Sequence, residues 1–127
     1  MSTPTILVAD DSATLRVQVR QVLEAEGYRV VLATDGRDAL EKAREFRPDL
    51  TVLDIEMPYV DGYEVCSELK SMGEPWDQVP ILFLTTLHSH ALELLGEEMG
   101  AYLRKPFQAP ALLDAVRQFI GPVVTNE

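Results

Sequence analysis

Asp10 and Asp11 close an apolar run at residues 6–9, Asp54 closes the apolar stretch "LTVLDIEMP", and Thr85 and Lys105 end two further short runs. Two like charges side by side at the end of a buried strand repel each other and lose hydration, so folding alone gives no reason for them. Three carboxylates in one place become stable when a cation joins them. A hard divalent ion takes oxygen ligands, and Mg²⁺ suits a site with few carboxylates and open positions for water or phosphate oxygens. Thr85 adds a hydroxyl donor and Lys105 a positive charge opposite those carboxylates. The five together would form a small cage for a bound or transferring phosphoryl group. Metal and lysine would offset its charge, and a carboxylate oxygen of Asp54 would be the attacking atom.

For these groups to meet, the segments that carry them must end at one edge. Short β-branched or aliphatic runs alternate with segments of helical period, the pattern of repeated βα units and a parallel sheet. The pattern predicts strands at 5–9, 29–33, 50–53, 81–84 and 102–104, and helices at 12–25, 36–46, 62–72, 91–99 and 109–120. Right-handed crossovers point every strand the same way, so the strand-to-helix loops gather at the edge where open α/β sheets bind ligands. Leu15, Val19, Val22 and Leu23 form one core-facing stripe, Leu92, Leu95 and Met99 another, and Leu112, Val116, Phe119 and Ile120 a third. Gly27, Pro48 and Gly100 punctuate helix ends, and Pro110 falls in the first turn of the last helix.

A chain of 127 residues is expected to form one domain over 1–127, with its core at about 4–121. The lone Cys66 makes no internal disulfide and no His/Cys spacing resembles a zinc site, which points to a reducing, cytoplasmic compartment. No signal segment and no apolar stretch of membrane-spanning length is visible, so a soluble protein without membrane insertion is expected. A net charge of −10, from 21 acidic and 11 basic residues, opposes direct binding to nucleic acid and to anionic membranes.

The stretches "ILVADDS", "LDIEMPYVDGYEV", "PILFLTT" and "YLRKPF", in this order and at these separations, resemble the receiver domain of two-component response regulators over essentially the whole chain. The resemblance implies a flavodoxin-like α/β fold: three αβα layers, with a five-stranded parallel sheet in the order 2-1-3-4-5 and five helices. It also implies a role for each residue. Asp54 would accept a phosphoryl group from the phosphohistidine of a sensor histidine kinase or a histidine phosphotransfer protein. Asp11 would bind Mg²⁺ directly and Asp10 mainly through water, with Asp54 and the main-chain carbonyl of Glu56 as further ligands. Lys105 would pair with the phosphoryl oxygens, and its bond to Pro106 would be cis. Thr85 would hydrogen-bond the phosphoryl group, and Tyr102 would swing between outward and inward rotamers as the Thr85 loop moved. The surface of the fourth helix, fifth strand and fifth helix would pass the switch to a downstream protein target. Such a domain would catalyse only its own phosphorylation and dephosphorylation, and with only "GPVVTNE" after the last helix no output domain is expected in this stretch.

The chain departs from the family pattern by lacking two residues common before the position of Tyr102, which shortens the approach to the fifth strand. Thr86 stands where a small residue is common, and the Glu56 side chain is expected to tune how fast water removes the phosphoryl group. Purely structural readings compete at several positions: Asp10 as a helix N-cap, Thr85 as a β-former, Tyr102 as a half-buried core tyrosine. His88 and His90 read as solvated and receive no role, Cys66 as a buried thiol. Trp76 reads equally as a packing anchor or a partner contact. Three other functions also compete. A phosphate-independent adaptor would keep the fold. An aspartyl phosphohydrolase of the haloacid dehalogenase group would want its D-x-D pattern on the first strand. A flavodoxin would want a Thr/Ser/Gly-rich first loop where "ADDSATLR" has carboxylates.

Overall fold

A computed structural model of the chain describes residues 3–86 and 101–121. Strands β1 (Thr5–Ala9), β2 (Arg29–Ala33), β3 (Leu50–Asp54), β4 (Ile81–Thr85) and β5 (Ala101–Arg104) form one sheet. Its order is β2-β1-β3-β4-β5, parallel at every pairing. The described residues hold four α-helices: α1 (Ala13–Ala25), α2 (Gly36–Phe46), α3 (Gly62–Ser71) and the C-terminal α4 (Ala109–Arg117). The helix expected at 91–99 lies outside the described residues, as do His88 and His90.

The side-chain period of two sorts each central strand onto two cores. Leu7, Ala9, Leu53, Ile81 and Phe83 face α2 and α3, where Ala39, Ala43, Val65, Cys66 and Leu69 meet them. Ile6, Val8, Leu50, Val52, Leu82 and Leu84 face α1 and α4, against Val19, Leu23, Leu112 and Val116. Helices therefore cover both faces of the sheet, giving the three-layer flavodoxin-like architecture.

Three helices start on a side-chain cap that accepts from an early helical N–H: Ser12 from Leu15, Asp35 from Asp38 and Asp61 from Glu64. Ser12, not Asp10, therefore caps α1. Other boundaries differ from the sequence pattern by one to three residues. β3 takes in Asp54, β4 takes in Thr85, and β5 begins at Ala101. α3 stops at Ser71, and α4 ends at Arg117 rather than at 120. Phe119 and Ile120 remain packed on the core from a turn in which both N–H groups return to the Val116 carbonyl. Their apolar period continued past the helical backbone, which is why pattern alone ran the helix too far. Trp76 is a packing anchor: half-buried against the α2/α3 core, it donates its indole N–H to the Ala43 carbonyl at 2.8 Å.

Candidate functional site

The parallel register brings the strand ends together. Ala9 pairs with Leu53, so Asp10 follows β1 beside Asp54, the last residue of β3. Thr85 pairs with Arg104, and the next residue, Lys105, donates its backbone N–H to the Thr85 carbonyl at 2.7 Å. Carboxylate oxygens of Asp10, Asp11 and Asp54 lie within 4.8 Å of one another. Asp10 and Thr85 are fully buried and Asp54 is 4% exposed, whereas Asp11 is open to solvent. Lys105 Nζ stands 2.8 Å from Asp10 Oδ2 and 3.5 Å from Asp54 Oδ1. The Lys105–Pro106 bond is cis.

The three acids are held differently. Asp10 Oδ1 accepts the Ser12 N–H at 2.8 Å while Oδ2 takes the lysine, so both of its oxygens are engaged within the protein. Asp54 Oδ1 accepts the Glu56 N–H at 3.1 Å. Burial, and then the nearby Asp10 charge, push the Asp54 carboxyl up to about 6, although Lys105 and the Glu56 N–H pull the other way. A buried carboxylate hemmed in by two others is short of positive charge. A hard cation with oxygen ligands meets that need, and the donor set fits one.

Close packing fixes the loop that follows Asp54. A Cβ on Gly62 would come within 2.6 Å of the Asp54 carbonyl oxygen, so only glycine lets α3 start against the end of β3. Glu56 is exposed, with its side chain at the rim. Tyr102 is half-buried, cross-strand from Phe83, and packs on the same core as Tyr63, whose ring lies 5.4 Å from Phe83.

Two features of this edge escape the sequence reading. Arg16, half-buried on α1, donates from Nη1 to the Asp10 carbonyl at 2.6 Å. The signal available was a cation one helical turn beyond the cap Ser12. Tyr59 is 70% exposed with a left-handed φ of 71°, and the Arg37 guanidinium lies 4.4 Å from its ring centroid. Nothing in a tyrosine's neighbours along the chain announces that backbone geometry.

With this geometry in hand, comparison with known proteins identifies the class. The profile of the response regulator receiver domain matches residues 6–117, and the chain belongs to that family. It is 44% identical over 117 residues to the response regulator MprA of Mycolicibacterium vanbaalenii, covering 91% of this chain and 49% of that protein. The chain thus spans about half the length of the curated relatives it matches. Among solved structures, the chemotaxis protein CheY4 of Vibrio cholerae superimposes with a TM-score of 0.87 at 34% identity, over 94% of this chain and 100% of that one. The receiver domain of the sensor histidine kinase PA1611 from Pseudomonas aeruginosa matches with a TM-score of 0.83 at 31% identity, over 94% and 99% of the two chains. That receiver carries a magnesium ion coordinated in its active-site cleft. Among the described residues of the present chain, no helix is long and apolar enough to cross a membrane.

Proposed function

We propose that this receiver domain is a phosphorylation-switched signalling module whose phosphoacceptor is Asp54. The observation that carries this reading is the setting of Asp54: a buried carboxylate at the end of a central strand, with two more carboxylates and the Lys105 ammonium around it. An oxygen of Asp54 attacks the phosphorus of a phosphohistidine on a sensor kinase or phosphotransfer protein. The P–O bond forms, the P–N bond breaks, and the electron pair leaves with the imidazole, whose other ring nitrogen already carries a proton, so that it departs as neutral histidine. Mg²⁺, held by Asp11 and Asp54 directly, by Asp10 through water and by the Glu56 carbonyl, would supply charge neutralisation for the phosphoryl oxygens. Lys105 faces those oxygens, and the Thr85 hydroxyl donates to one of them. The same cage hydrolyses the acyl phosphate, so the domain acts catalytically on itself alone.

A phosphoryl group of about −2 charge changes the protein only by interacting differently with two states. Thr85 and Tyr102 lie on adjacent strands, two residues apart in register, which supports the movement of one affecting the other. The readout face includes β5 and α4, with a protein partner as target. The cytoplasm is the compartment where the phosphodonor would meet it.

Intact mass spectrometry with acetyl phosphate, and separately with beryllofluoride, tests the reading with and without Mg²⁺. One Mg²⁺-dependent adduct, lost in Asp54→Asn, is expected. An adduct that persists in the variant would move the acceptor elsewhere, and no adduct at all would favour the phosphate-independent adaptor.

A further inference from the structure

Every hydrogen-bonding group of Asp10 is occupied. Its N–H donates to the Ala33 carbonyl, Oδ1 accepts the Ser12 N–H, Oδ2 pairs with Lys105, and its carbonyl accepts Arg16 Nη1. The last of these has a particular consequence. The Asp10 carbonyl belongs to the peptide unit that joins Asp10 to Asp11, so a donor fixed to that oxygen stops the peptide plane from rotating. It thereby sets the direction in which the exposed Asp11 side chain leaves the backbone. Arg16 is itself anchored, because its backbone N–H donates to the Ser12 carbonyl at 3.0 Å. A closed ring of bonds runs from Asp10 to Ser12 to Arg16 and back to Asp10.

We infer that Arg16 is a positioning residue for the metal site: its guanidinium holds the Asp10–Asp11 peptide so that Asp11 meets a small cation at the distance and angle Mg²⁺ requires. The inference rests on the reading of the acidic cluster as a Mg²⁺ site. Its sign separates it from a bare electrostatic role. As a mere positive charge beside three carboxylates, Arg16 would repel a metal, and its removal would tighten binding. As a positioning group, its removal loosens Asp11 and weakens binding. Mg²⁺ demands near-ideal octahedral geometry whereas Ca²⁺ accepts irregular sites, so the loss falls more heavily on Mg²⁺.

Calorimetric titration of the chain with Mg²⁺ and with Ca²⁺, on wild type, Arg16→Met and Arg16→Lys, decides the matter. Removing groups that orient metal ligands typically weakens metal affinity by about tenfold or more, and a loss of about tenfold for Mg²⁺ is expected in Arg16→Met. The Mg²⁺-to-Ca²⁺ affinity ratio should fall as well. Arg16→Lys keeps the charge but not the reach or the fork, so it should also weaken Mg²⁺ and lower the ratio; it serves alone if the methionine variant does not fold. Unchanged or tighter Mg²⁺ binding in Arg16→Met would overturn the inference, as would equal losses for the two ions or a wild-type profile in Arg16→Lys. A wild-type chain that binds neither ion would instead refute the metal reading beneath it.

Discussion

Asp54→Asn should make the metal-free protein more stable, and only above a definable pH. The folded carboxyl titrates at about 6, whereas an unfolded aspartate titrates near ~3.9. Between those values the folded state holds a proton that the unfolded state has released, so unfolding stability falls as pH rises. Below about pH 4 both states are protonated and Asp54 costs little. Above about pH 6 the full penalty applies. A gap of about two units at 1.36 kcal/mol per unit makes that penalty roughly 3 kcal/mol. Asparagine keeps an oxygen for the Glu56 N–H but carries no charge, and Lys105 retains Asp10 at 2.8 Å.

The assay is urea unfolding of wild type and Asp54→Asn in chelator across pH 4 to 8. Taking the difference between the two proteins cancels carboxylates remote from the site, including Asp38, whose pKa is lowered and whose contribution runs the opposite way. The variant should gain little at pH 4 and roughly 3 kcal/mol at pH 7.5, which for a chain of this size is a rise in Tm of roughly 10 °C. Saturating Mg²⁺ should then close much of the gap by stabilising wild type: a ligand at 100 times its Kd contributes about 2.7 kcal/mol. A difference that is flat across the pH range, or a variant less stable than wild type at neutral pH, would refute the account of Asp54 as a buried carboxylate lacking positive charge.

Other substitutions probe the same edge and the cores beneath it. Lys105→Met leaves the fully buried Asp10 carboxylate without its cation and should cost about 3 kcal/mol in urea unfolding; a loss below about half a kcal/mol would mean the pair contributes nothing net. Gly62→Ala drives a methyl into the Asp54 carbonyl and should lower stability by about 2 kcal/mol. Thermal unfolding at the wild-type midpoint would contradict that close approach. Thr51→Val replaces a buried hydroxyl that has no hydrogen-bond partner among the described residues. It should raise stability by about 1 kcal/mol and leave Mg²⁺ affinity unchanged, because Thr51 sits near the start of β3, away from the site.

The parallel strands and the faces that meet the cores were legible because a parallel strand buried on both faces reads as an unbroken apolar run, and the helices betray their inward faces by period. The strand order itself came from the family resemblance, since no run or period says which strands are neighbours. The candidate site was legible for the opposite reason: Asp10, Asp11, Asp54 and Lys105 break those runs at their ends, where topology collects them. What stayed hidden depends on contacts between distant segments. No local signal says that Lys105, from the far end of the chain, takes the second oxygen of Asp10, and the cation one turn beyond the cap Ser12 hints at Arg16 without saying that it reaches back to the Asp10 carbonyl. Nor does any local signal say that Gly62 lies against the Asp54 backbone, or that Tyr59 takes a left-handed φ under Arg37. Trp76 was undecidable because its indole partner, the Ala43 carbonyl, is 33 residues away.

These contacts divide the acids in a way that the residue types alone do not. Asp10 is satisfied in place by a backbone N–H and an ammonium, so its charge is a fixed part of the scaffold. Asp54 shares that ammonium at the longer distance of 3.5 Å and bears the repulsion of its neighbours. An acid so placed destabilises the metal-free fold, and whatever brings positive charge to it recovers that stability as binding free energy. On the proposed reading, the charge deficit at Asp54 is what makes phosphorylation wait for the metal. A cation admitted beside Asp11 relieves the deficit, and it also gives the incoming phosphoryl oxygens a positive centre to face. The same deficit explains why the acidic pair stands where folding alone would put neutral residues: Asp10 fixes Lys105, and Asp11 supplies the open ligand that Asp54 needs beside it.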